Sequence, residues 1–139
     1  MPLLDVFPVS GSGMAAQSVR LNTTASNIAN AQSVAADPAD TYRARYPVFQ
    51  APLADQMGGG NTQGVGVNVP GIVESDRPYS IRYEPDHHYA NEEGYVTYPN
   101  VSVVEEMANM ISASRSFQIN VEVMNTAKGM AERVLTLGQ

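Results

Sequence analysis

The sequence predicts an α+β fold: long N- and C-terminal helices paired as a coiled-coil-like domain, with a small β-rich middle region. Three observations predict it. Apolar residues recur on a heptad near each end of the chain. The segment between them alternates apolar and polar residues at a period of two, and that same segment is rich in proline and glycine. The corresponding divisions are residues 1–35, 36–100 and 101–139.

The first helix is expected from about Val6 to Ala31. Phe7, Met14, Leu21 and Ile28 occupy one heptad position and Ser10, Gln17, Thr24 and Ala31 the other. One row is apolar and the other small or polar, so the seam is half-strength. Gly11 and Gly13 each lower helix propensity by roughly 1 kcal/mol relative to Ala. Such a helix depends on packing for its stability.

The middle reads as short strands. Tyr42, Ala44, Tyr46 and Val48 alternate, as do Val65, Val67 and Val69, and then Tyr79, Ile81 and Tyr83. Pro47 and Pro70 confine these strands to edges or mark their ends, and Gly58-Gly59-Gly60 reads as a loop. This region can bury only a modest core.

The last helix carries the stronger signal. Ser102 and Glu105 have the spacing of a capping box. Val103, Met110, Phe117, Met124 and Ala131 form one heptad row; Met107, Ser114, Val121, Lys128 and Leu135 form the other. Gly138 stands where a C-terminal cap is expected. A helix of about 35 residues is roughly 52 Å long, more than a globular domain of this size requires.

The helix surfaces lack charge. Between Val6 and Ala36 the only charged residue is Arg20, and between Met107 and Val121 it is Arg115. The remaining outer positions are Ser, Thr and Asn, Asn27 and Asn30 among them. Such groups can be buried with hydrogen bonds at far less cost than ions. Periodicity alone does not separate an intramolecular two-helix hairpin from a helix pair built to pack against neighbouring subunits.

Composition excludes several classes. The chain has 139 residues, the length of about one domain, and a net charge of −6 at pH 7. That balance argues against nucleic-acid binding and against docking on anionic lipid. No stretch approaches the roughly 20 apolar residues of a membrane span, so direct membrane insertion is not expected. With no cysteine, thiolate chemistry is absent. Met1 to Pro8 does not have the composition of a cleavable secretory signal. Glu84, Asp86, His87, His88, Glu92 and Glu93 form the only metal-like cluster, and adjacent histidines on extended chain point to opposite faces. A solvated turn is the expected reading. Gly64 to Val67 lacks the lysine of a phosphate loop. No catalytic residue, cofactor or metal is expected.

Specific residues carry a resemblance. The stretch Ser12 to Ala31, with Arg20-Leu21-Asn22 and Asn27-Ile28-Ala29-Asn30, resembles the N-terminal signature of flagellar rod and hook proteins. Pro99-Asn100-Val101, Glu105-Glu106-Met107, Ser112-Ala113-Ser114-Arg115-Ser116-Phe117-Gln118 and Asn125-Thr126-Ala127-Lys128 look like the proximal rod proteins of the C type. Tyr42-Arg43-Ala44, Val48-Phe49-Gln50 and Gly94-Tyr95-Val96 agree. The resemblance covers nearly the whole chain. It implies a structural subunit of the proximal rod of the flagellar basal body, in the periplasmic space, exported uncleaved by the flagellar type III apparatus. It implies as partners copies of itself, other rod proteins and the rod base or MS-ring adaptor. The helix-pairing and assembly residues would be Phe7, Met14, Leu21, Asn27, Ile28, Asn30, Val103, Met107, Met110, Phe117, Val121, Met124 and Leu135. The competing reading is a cytosolic coiled-coil adaptor or export chaperone, whose helices should carry more surface charge.

Overall fold

A computed structural model describes residues 5–51 and 65–137. The Gly58–Gly60 loop and Gly138 lie outside the described residues. Helix α1 spans Val6–Asn30, a 3-10 turn Pro38–Asp40, and strands β1 to β4 span Arg45–Gln50, Asn68–Glu74, Ser80–Tyr83 and Tyr95–Tyr98. Helix α2, Val103–Leu137, has 35 residues and is ten residues longer than α1, which has 25. The expected α+β arrangement is present: two long terminal helices with a small antiparallel middle between them.

The helices pack side by side and run in opposite directions. Position 13 of α1 lies at Asn120, Arg20 bonds to Asn109 and Asn27 bonds to Glu106. Numbers rise along α1 as they fall along α2. The residues most deeply buried in the pair are small or polar: Ser10, Ala16, Thr23, Thr24 and Asn27 from α1, Ala31 just after it, and Glu106, Ala113 and Ala127 from α2. Small side chains let the two backbones approach closely. The large residues Phe7, Met14, Leu21 and Ile28, with Met110, Phe117 and Met124 opposite, flank that contact and are half-buried.

The start of α2 departs from a full capping box. Ser102 Oγ accepts only a long bond from the Glu105 amide, 3.4 Å, while the Glu105 carboxylate turns outward to Arg77 at 3.1 Å. The serine half of the box forms and the glutamate half does not, because a guanidinium competes for that carboxylate.

The middle holds two separate two-stranded antiparallel sheets, β1–β2 and β3–β4. Tyr46 pairs with Val73, Pro47 with Ile72, and the register shifts between Val48 and Gln50. Each strand of a two-stranded ribbon keeps one free edge, which is how Pro47 and Pro70 are tolerated inside β1 and β2. Three alternating segments begin earlier in the sequence than their strands do. Tyr42 and Ala44 precede β1 because asparagine side chains take up the chain around them, as described below. Val67 precedes β2 because its N–H is donated to Ser12 Oγ on α1, 3.0 Å away. Tyr79 precedes β3, its hydroxyl donating to the Thr41 carbonyl and its face stacking under Arg43. Strand β4 was not expected from alternation. It follows a turn in which Asn91 Oδ1 accepts from the Glu93 and Tyr95 amides and Gly94 adopts φ +82°, a conformation that suits glycine.

Candidate functional site

Two features of the fold bear on function: a buried amide junction inside the helix pair, and the outer face of α2.

The junction is built on Asn27, which is 0 % exposed. Its Nδ2 donates to the Arg45 carbonyl at 2.8 Å and to Glu106 Oε2 at 3.2 Å. Its Oδ1 accepts from the Arg45 amide at 2.9 Å and from the Tyr42 hydroxyl at 2.8 Å. All four hydrogen-bonding positions of the side-chain amide are therefore used. By taking both the N–H and the C=O of Arg45, Asn27 occupies the place of a neighbouring strand at the start of β1. Asn100 grips the preceding residue: its Oδ1 accepts from the Ala44 amide at 2.8 Å, and its Nδ2 donates to the carbonyls of Ser75 and Arg77. The Ala44 carbonyl accepts from the Ser75 amide at 2.8 Å. Residues 44 and 45 are thus held between α1, the lead into α2 and the β2–β3 connection.

Glu106 is 1 % exposed, and its Oε1 has no partner among the described residues. A carboxylate in that position is costly unless something is gained from it. Burial, then the neighbouring Glu106 carboxylate, raises the Tyr46 hydroxyl above the usual tyrosine range. Tyr98 is raised too, first by donating to Glu84 Oε2 at 2.9 Å. Both groups favour the neutral hydroxyl in the folded state. Their contribution to stability is complete below pH 10 and is lost as pH rises through the raised folded values. Ultraviolet titration should therefore show two of the seven tyrosines ionising later than the rest, and Tyr46→Phe and Tyr98→Phe should each remove one late step.

The structure places the sequence-predicted residues in two groups. Phe7, Met14, Leu21, Ile28, Met110, Phe117, Val121 and Met124 are half-buried along the helix pair, and Asn27 is at its core. Asn30 is half-buried at the end of α1 and donates to the Ser26 carbonyl. Val103, Met107 and Leu135 are exposed on the single chain. Apolar counting passed over Glu106, Ala113, Asn120 and Ala127, which repeat every seven residues and face α1. Their signal is small size, not hydrophobicity.

Elsewhere little suggests chemistry. His87 Nδ1 accepts from the Tyr89 amide and His88 packs its ring on Tyr89 at 5.1 Å. Among the described residues no three His, Asp or Glu side chains gather as a metal site, and no helix is long and apolar enough to cross a membrane. An open groove beside Tyr42 is lined by Arg43 and Arg45 but equally by Asp40 and Glu74, so its charges cancel.

The outer face of α2 is different in kind. Val104, Met107, Ile111 and Ile119 are all exposed, Ile111 by 70 %, with Arg115 and Glu122 the charges that share the patch of Ile111 and Ile119.

Comparison with known proteins gives this arrangement a family. Residues 7–34 match the family described as flagella basal body rod protein, and residues 92–137 match the C-terminal family of the flagellar basal body rod FlgEFG proteins. The two matches cover α1 and α2. The chain is 49% identical over 139 residues, the full length of both proteins, to the flagellar basal-body rod protein FlgC of Salmonella typhimurium. It is 47% identical over full length to that of Yersinia enterocolitica. To that of Bacillus subtilis it is 34% identical, over 94% of this chain and 95% of the relative. On the strength of these matches and of its paired terminal helices, the chain belongs to the FlgC family of flagellar basal-body rod proteins.

Proposed function

We propose that the helix pair is the polymerising part of this rod subunit, and that neighbouring subunits cover the outer face of α2. The observation that carries the reading is that face. A solvated helix normally turns charge outward, whereas Val104, Met107, Ile111 and Ile119 leave an apolar strip in water.

The protein is a structural subunit of the proximal rod of the flagellar basal body. Its work is mechanical: packed with copies of itself and other rod proteins, it forms the shaft that carries motor torque. In this reading Phe7, Met14, Leu21, Ile28, Met110, Phe117, Val121 and Met124 pair the helices, while Val103, Met107 and Leu135 face neighbours. It is not an enzyme and takes no cofactor. Passage through the flagellar type III apparatus without a cleaved signal, and contact with the rod base or MS-ring adaptor, complete the proposal. Half-strength seams and the glycines of α1 support that route, because helices of this kind depend on packing partners for stability.

Ile111→Asp separates assembly from folding. A change at so exposed a position should alter the stability of the isolated chain by no more than about 0.5 kcal/mol. It should nevertheless abolish swimming and remove the chain from purified hook–basal bodies, as read by mass spectrometry. Recovery of the variant in basal bodies at normal amounts would refute the proposal. Finding the unaltered protein only as a discrete soluble oligomer would favour the adaptor or chaperone.

A further inference from the structure

The apolar packing of α1 on α2 does not by itself select one register. Phe7, Met14, Leu21 and Ile28 form a row of large apolar residues, and Met110, Phe117 and Met124 form another. Ser10, Thr24 and Ala31, with Ala113 and Ala127, form rows of small ones. Sliding one helix by a heptad keeps the large apolar residues against large ones, while it sets Arg20 against Asn120 in the place of Gly13. The side chains that do not repeat are polar, Gln17 and Asn120 among them, and two pairs of them bond across the helices: Arg20 with Asn109, and Asn27 with Glu106.

We infer that Asn27 and Glu106 are register-determining residues, a latch that holds α1 and α2 in one of several heptad alignments. Asn27 is fixed on the α1 side by its bonds to Arg45 and Tyr42, so β1 and α1 move together. A slip of one heptad that brings Asn27 level with Ala113 parts Glu106 from Asn27 Nδ2 and, because β1 moves with α1, from the neighbouring Tyr46 hydroxyl. A buried carboxylate stripped of hydrogen bonds is strongly unfavourable. The same slip parts Arg20 from Asn109. The unpartnered Oε1 of Glu106 fits this role, since a single buried polar contact can specify alignment at a cost in stability.

The chain has no cysteine, so introduced cysteine pairs report alignment directly. A Cβ at position 13 lies 3.0 Å from Asn120 Nδ2 and 3.3 Å from its Cγ, within the reach of a disulfide after substitution. Gly13→Cys with Asn120→Cys traps the observed register, and Gly13→Cys with Ala127→Cys traps the slipped one. Each pair is oxidised in the full chain and mapped by peptide mass spectrometry. With Asn27 and Glu106 intact, the 13–120 bond should exceed the 13–127 bond by about tenfold or more. Asn27→Leu should bring the two products within about threefold of each other. Glu106→Leu should do the same with helix content unchanged, because an apolar replacement of a buried charge is commonly neutral or stabilising. Glu106→Leu therefore decides the matter even if Asn27→Leu does not fold. A Glu106→Leu chain that still forms only the 13–120 bond overturns the latch. So does an unaltered latch that yields both bonds equally, or neither.

Discussion

Ala113→Asp is expected to unfold the helix pair and to leave cells non-motile. Ala113 is 0 % exposed and lies at the close approach of α2 to α1, between Glu106 and Asn120 on the seven-residue row. To find a cation the new carboxylate would have to draw Arg20, the one basic residue of α1, away from Asn109, and at a fully buried alanine it has no room to reach for it. Burying an unpaired charge costs several kcal/mol even after relaxation, and a small domain has only about 5–15 kcal/mol of stability in all. The expected loss is about 3–5 kcal/mol, read as a collapse of helical circular dichroism and a large fall in Tm. Ala113→Ser is the control: a hydroxyl can bond to the preceding turn, so most of the helicity should remain. Retention of native Tm in Ala113→Asp would show that this face of α2 is not buried against α1.

Ala44→Leu should detach the β1–β2 ribbon while leaving the helices paired. Ala44 is also 0 % exposed, and its amide and carbonyl are both engaged, by Asn100 and Ser75. Three added carbons have no space to enter. Overpacking of this kind costs about 1–3 kcal/mol, and pushing Asn100 away from the Ala44 amide adds about 1–3 kcal/mol for a buried donor left unpaired. The measurement is hydrogen exchange. Amides of β1 and β2 should lose protection well before those of α1 and α2. Equal loss across all four elements would show that the ribbon and the helices unfold as one unit.

Much of the fold was legible because heptad spacing and the proline-free runs that follow Pro8 and Pro99 are local properties. The extents of α1 and α2 follow from them. The β region was less so. Alternation located Tyr46–Val48 and Ile81–Tyr83 but also drew in Tyr42, Ala44, Val67 and Tyr79. These are extended residues whose hydrogen-bonding groups go to Asn27, Asn100, Ser12 and Thr41 instead of to a strand. Which extended residues find a strand partner is a tertiary matter that a period of two does not encode. At the functional site the difficulty was chemical. Counting apolar residues draws attention to Met107 and Leu135, which face solvent. It passes over Ala113, Ala127 and Glu106, which do not. Where helices approach closely, bulk is excluded from the contact line, so the innermost residues are the least hydrophobic ones. Asn27 was picked out as an uncharged polar residue, but its four bonds depend on Arg45 and Glu106, which lie 18 and 79 residues away along the chain.

The antiparallel pairing of the two ends of the chain has a consequence for timing. A helical hairpin is ordinarily a local structure that closes within a short stretch and folds fast. Here the bonds that join α1 to α2 span 79 and 89 residues. Drawing together a loop of that size costs on the order of 4 kcal/mol in chain entropy before any contact compensates for it. A chain delivered end-first through a narrow conduit therefore has no way to complete its core in transit. Whichever helix emerges first has to wait for the other, and the moment of closure is set by the arrival of the trailing end. On the export route proposed above, the same topology that makes the hairpin slow to form would keep the chain threadable until delivery is finished.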